Sequence, residues 1–87
     1  MDYKAEVKKA LSENRVIIGS REVLRALKTG KPKFVVISLN CPDPIRKDIE
    51  YNAKLAGVDV FVFDGTGRDL GIFCGKPFPI AALAVEG

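Results

Sequence analysis

The run Phe34-Val35-Val36-Ile37 constrains the fold of this chain more than any other segment. All four residues are β-branched or aromatic, so the run favours an extended strand. Successive side chains of a strand point to opposite faces of its sheet, and no polar residue interrupts these four, so both faces must be covered. A sheet held between two helical layers meets that demand.

The flanking periodicities supply the layers. Tyr3, Val7, Ala10 and Leu11 recur at helical spacing and predict an amphipathic helix over residues 2–13, lysines outward. Arg15 to Ile18 is a short β-branched run ended by Gly19 and reads as a buried strand. Ser20 is placed to cap a second helix, with Glu22 in its first turn, Val23, Leu24 and Leu27 inward, and Gly30 at its end. Lys31-Pro32-Lys33 is a turn into the Phe34 strand. Beyond that strand, Asp43 reads as a cap and Pro44 as the first residue of a third helix, whose stripe is Ile45, Ile49, Ala53 and Ala56 and whose stop is Gly57. Val60 to Phe63 is a third strand. Thr66 and Asp69 have capping-box spacing, opening a short helix that holds Leu70, Ile72 and Phe73 and closes at Gly75. Lys76-Pro77-Phe78-Pro79 is a rigid loop, and Ile80 to Val85 a last strand. The expected fold is α/β: a three-layer α/β/α sandwich with a four-stranded mixed sheet and right-handed crossovers. With 87 residues there is room for one domain, spanning 1–87.

Composition removes whole classes of chemistry. There is no histidine, so nucleophilic arrangements that depend on one are excluded, as are histidine-containing zinc sites. Two cysteines, Cys41 and Cys74, lie too far apart in sequence for a metal motif and suggest no disulfide framework. Cys41, just before a helix start, is in a position that can activate a thiol, but no base is near in sequence and a small buried hydrophobe is the simpler reading. The longest apolar run, Ile80 to Val85, is far short of the ~20 residues of a membrane span, and charges mixed through Met1 to Glu6 do not make a secretory signal. An intracellular protein without membrane, metal or cofactor is the expectation.

Charge points to a partner. Through Lys33 nine basic residues face four acidic ones, whereas the remainder holds five basic against seven acidic. A basic half in a chain of pI about 9.0 suits a polyanion such as RNA, although an ordinary solvated face has the same composition. Gly65-Thr66-Gly67 with Gly71 imitates a phosphate-binding loop, but its spacing is GxGxxxG and no Walker-type lysine follows, so a turn and a helix account for it better. Gly19-Ser20-Arg21-Glu22 joins a strand to a helix start, where free backbone N–H groups favour anions and Arg21 adds a forked donor. Arg25 and Lys28 continue along the outward face of that helix, with Lys33 beyond its turn. Phe78 stands between two prolines beside Lys76, and such a ring either turns into the core or stays out as a platform for an unpaired base.

The ordered set Ile18-Gly19-Ser20-Arg21-Glu22, Asp48-Ile49-Glu50-Tyr51 with Ala53-Lys54-Leu55, Asp69-Leu70-Gly71, and Gly75-Lys76-Pro77-Phe78 with Ala81 to Val85 resembles the L30e family of large-subunit ribosomal proteins, within the L7Ae superfamily. The resemblance implies a non-enzymatic domain, cytoplasmic and ribosome-associated, that binds a kink-turn of ribosomal RNA: an internal loop with tandem sheared G·A pairs and a flipped-out nucleotide. It implies that Gly19, Ser20, Arg21 and Glu22 meet the G·A pairs and nearby backbone. It further implies that Lys76, Pro77, Phe78 and Pro79 pack on exposed bases, and that Asn40 and Lys33 lie along the groove. Ribosomal neighbours are implied partners, and a monomer is expected off the ribosome. The dedicated kink-turn binders typically carry asparagine where this chain has Arg21, which favours the ribosomal branch. A stand-alone kink-turn adaptor and, from a different class, a small nucleotide-binding enzyme using the Gly65 loop are the rival readings.

Overall fold

The computed structural model describes residues 2–87. Along the chain run α1 (Tyr3–Ser12), β1 (Val16–Ile18), α2 (Ser20–Thr29), β2 (Phe34–Ile37), α3 (Asp43–Ala56), β3 (Asp59–Val62), α4 (Gly67–Phe73) and β4 (Ala82–Val85). The strands form one four-stranded sheet in the order β1-β4-β2-β3. β2 and β3 are parallel, and β4 is antiparallel to both β1 and β2, so β1, β2 and β3 all point the same way. The two connections that join parallel strands, through α2 and α3, step in the same direction across the sheet, and crossovers of one hand then put both helices on one face. The crossover rule expected throughout does not extend to α4, because β4 returns antiparallel and inserts between β1 and β2.

Burial follows this order. β2 and β4 are central and buried along their whole length, whereas β1 and β3 are edges. The Arg15–Ile18 segment is therefore a half-buried edge rather than a buried strand, because it has a neighbour on one side alone. One layer of core joins Val7 and Ala10 of α1, Leu70 of α4 and Cys74 at its C-cap to Phe34, Val36, Leu83 and Val85. The other joins Val23 and Leu27 of α2 and Ile49 and Ala53 of α3 to Val35, Ile37, Ala82 and Ala84. The alternation along Phe34–Ile37 thus feeds both layers, and the small Ala82 and Ala84 let α2 approach the sheet centre. Ile72, expected inside α4's apolar stripe, is 65% exposed: Leu70 takes the inward position of so short a helix.

Helix ends show where local reading works and where it shifts. Asp2 caps α1 by accepting from the Lys4 and Ala5 amides at 3.1 and 3.3 Å. Ser20 does not cap α2: Gly19 occupies that position and Ser20 is the first helical residue. Asp43 likewise lies inside the first turn of α3, with Pro42 at the cap. In both places the chain turns one residue earlier than the polar side chain suggests. The Thr66–Asp69 capping box is present, with Asp69 Oδ2 accepting from the Thr66 amide at 3.0 Å and Thr66 Oγ1 accepting from the Asp69 amide at 3.4 Å. Thr66→Ala is expected to lower stability by about 0.5–2 kcal/mol, read as an earlier midpoint in urea at unchanged slope. Lys8 joins α1 to α4 by donating to the Phe73 carbonyl at 2.7 Å, where the cation also answers the negative end of the helix.

Candidate nucleic-acid interface

Strand pairing brings the C-terminal ends of β1, β2 and β3 and the start of β4 to one end of the sheet. The loops leaving those strand ends are tied to one another through the backbone. Gly19 N–H donates to the Ala82 carbonyl at 3.0 Å, Ser38 N–H to Ala81 at 2.9 Å, Leu39 N–H to Gly65 at 2.8 Å, and Ile80 N–H to Gly67 at 2.9 Å. Gly19, Ser20, Arg21, Glu22, Asn40, Lys76, Pro77, Phe78 and Pro79 therefore share one end of the domain, although they are separated by up to 60 residues.

Each loop presents a different chemistry. Gly19 has φ 108° and ψ 140°, a conformation that side-chain-bearing residues rarely adopt, and it has no side chain to answer the first-turn amides of α2. Those N–H groups stay available to an anion at the positive end of the helix. Arg21 follows immediately, exposed and without a carboxylate partner among the described residues. Glu22 is exposed beside it, with Arg25 at 3.7 Å. Phe78 is 48% exposed, so the ring stands outside the core. Its loop is seated on α4: Lys76 N–H donates to the Gly71 carbonyl at 2.9 Å, and a Cβ at Gly71 would overlap the Phe78 carbonyl oxygen and come within 3.1 Å of its carbon. A Cβ at Gly67, one turn earlier, would lie 3.2 Å from the Ile80 carbonyl oxygen. Two of the glycines that imitate a phosphate-binding loop, Gly67 and Gly71, are thus the flat face on which the aromatic loop rests.

The remaining predicted positions fall elsewhere. Arg25 and Lys28 lie about 6 and 10 Å along α2 from Arg21, by the rise of a helix. With Arg21, Leu24, Ile45 and Asp48 they line a groove of about 430 Å³ between α2 and α3 that runs back from the loop end. Lys33 is not in this groove. It precedes β2 at the far end of the sheet, where its amide bonds the Val85 carbonyl at 2.7 Å and its ammonium meets Glu6 at 3.1 Å. That hydrogen bond from Lys33 holds the Glu6 carboxyl below its ordinary range. The pair therefore contributes above the usual carboxylate range and fades as pH falls through the lowered value. Cys41 is buried, and desolvation pushes its thiol up, the opposite of an activated nucleophile.

Two features of this end escape sequence reading. Leu39, 61% exposed, lies two residues past the buried β2, and its apolar side chain gives no sign in the sequence that it is left outside the core. The seat at Gly67 and Gly71 had a legible signal: two glycines four apart on one helix are costly, at about 1 kcal/mol each, unless something packs closely there.

This is a three-layer α/β/α domain that gathers a forked cation, a carboxylate, a carboxamide and an exposed ring on adjoining strand-end loops. The chain belongs to the ribosomal protein L7Ae/L30e/S12e/Gadd45 family, which matches it over residues 1–87. It is 45% identical over 84 residues to the large ribosomal subunit protein eL30 of Methanopyrus kandleri, an alignment covering 97% of this chain and 77% of that protein. To the eL30 of Pyrobaculum calidifontis it is 47% identical over 85 residues, covering 98% and 84%. Among solved structures, the Giardia lamblia 15.5kD RNA binding protein shares the fold at a TM-score of 0.78 and 24% identity, covering 93% of this chain and 68% of that one. A Bacillus halodurans protein of unknown function superposes at 0.86 with 19% identity, covering 99% and 85%.

Proposed function

We propose that this chain is an eL30-type structural protein of the large ribosomal subunit, which binds a kinked internal loop of ribosomal RNA and catalyses no reaction. The observation that carries the reading is the convergence of Arg21, Glu22, Asn40 and Phe78 on one end of the sheet, held there by the backbone bonds between their loops. In a kink-turn the sheared G·A pairs turn base edges outward and one nucleotide leaves the stack, so a domain offering both polar donors and a ring matches its shape. Arg21 and the first-turn amides of α2 take backbone phosphate or a guanine edge, Glu22 accepts from a guanine, and Phe78 stacks on an exposed base. Lys76, Arg25 and Lys28 neutralise phosphates, which makes binding salt-dependent without conferring sequence preference. The protein works on cytoplasmic ribosomes among other ribosomal proteins and is monomeric away from them.

The test is a titration at physiological salt against a kink-turn RNA and against the same RNA with both G·A pairs replaced by Watson–Crick pairs. Tight binding that the replacement abolishes is the expected result. Equal, weak binding to both RNAs would reduce the chain to a non-specific polycation and sink the shape-specific reading.

A further inference from the structure

The two edge strands of the sheet are not alike. On β3, the Tyr3 ring of α1 stacks on Phe61 with centroids 4.9 Å apart, and its hydroxyl donates to the Val62 carbonyl at 3.5 Å. On β1 nothing comparable is found. In an antiparallel ladder, residues that bond the neighbouring strand alternate with residues whose N–H and C=O point away from it. Glu86 N–H donates to the Arg15 carbonyl at 2.8 Å and Gly19 N–H to the Ala82 carbonyl at 3.0 Å, which places Arg15, Ile17 and Gly19 on the β4 side. Val16 and Ile18 therefore turn their N–H and C=O groups outward, and no group among the described residues bonds them. The strand also has none of the charges, prolines or bulges that usually blunt an edge.

Beside Ile17, on the face that α2 covers, lies a groove of about 340 Å³. Ile17, Ala26 and Pro32 give it an apolar wall, and Glu22, Arg25 and Glu86 a polar rim. A strand added to β1 would stand beside this groove and turn alternate side chains into it.

We propose that the outer edge of β1 is a strand-addition site, which takes an extended, net acidic segment of another protein with apolar residues at alternate positions. The ladder selects the backbone, because N–H and C=O groups spaced along an edge are matched by another strand and not by a nucleic acid. The groove selects the apolar alternation. Charge selects the partner: α1, β1 and α2, which surround the edge, all belong to the stretch through Lys33 with nine basic residues against four acidic. A second copy of the chain would set two such basic halves against each other, whereas an acidic segment is attracted. This site runs along the side of the sheet, apart from the loop end, and is independent of the RNA-binding reading.

The probe is a displayed library of random peptides, panned against the folded protein. The peptides that bind are expected to alternate apolar residues and to carry net negative charge. Adding them is expected to slow hydrogen exchange at the Val16 and Ile18 amides, which have no bond to protect them in the free protein. The chain is short enough for chemical synthesis, so single backbone N–H groups can be replaced by N-methyl. At Ile18 this change is expected to leave the melting temperature at the wild-type value, since no bond to β4 is lost, and to lower peptide affinity at least about 5-fold. At Ile17, whose amide faces β4, it is expected to lower the melting temperature. No binding above background, binding that leaves the Val16 and Ile18 amides exchanging as before, or a fall in melting temperature from the Ile18 methyl would each overturn the assignment. A concentration-dependent dimer that protects the same amides would overturn it too, by naming a second copy as the occupant. Failure of the kink-turn titration would leave the site standing.

Discussion

Phe78→Ala is expected to weaken kink-turn binding by about 1–3 kcal/mol, roughly 5- to 150-fold, while leaving the melting temperature unchanged. The separation follows from where the ring stands. At 48% exposure, outside both core layers, it has little to lose on folding. On binding, it contributes a flat apolar surface that its flanking prolines hold in place at small entropic cost. A phenylalanine that filled the core would instead cost about 3–5 kcal/mol of stability when truncated. Paired melting curves and RNA titrations therefore distinguish the two roles. Loss of stability with RNA affinity retained would remove Phe78 from the interface.

Gly71→Ala is expected to destabilise the fold by about 1–3 kcal/mol and to weaken RNA binding at the same time. Helix propensity alone argues for the opposite sign, since alanine is favoured over glycine by about 1 kcal/mol inside a helix. The added methyl, however, would overlap the Phe78 carbonyl oxygen, which is backbone and has no rotamer to change. Either the loop lifts from α4 or α4 shifts in the core, where its neighbours Leu70 and Cys74 are buried against the sheet. Both movements displace Phe78. Thermal denaturation and titration with the same RNA check the prediction, and a more stable variant would show that propensity wins and that the loop is not seated on Gly71.

The candidate binding end was legible in the residues but not as a place. Gly19 to Glu22 announces a strand-to-helix junction, and Phe78 between two prolines announces a constrained ring, each from neighbours in sequence. That Asn40 joins them, and that Lys33 does not, depends on which end of β2 each occupies. Lys33 precedes the strand and Asn40 follows it, so four residues of extended chain place them at opposite ends of the sheet. The caps at Ser20 and Asp43 were off by one position because a polar side chain near a helix start is a local preference, whereas the residue that turns the chain is set by how the strand before it ends.

Most elements and inward faces were determined by the sequence alone, the exposed Ile72 and the half-buried β1 being the exceptions. The helical stripe of Val23 and Leu27, the doubly apolar Phe34–Ile37, the Thr66–Asp69 box and the stop at Gly57 each depend on contacts within a few residues or on the period of one element. The tertiary structure decided the rest. The last strand slots antiparallel between the first and second, and the orientation of Asn40 is set by an amide 27 residues away. Local patterns tell a strand that it must be buried on both faces, but not which strand lies beside it. That choice is made by pairing surfaces distant in sequence, and it is this pairing that gathers the loops at one end of the sheet.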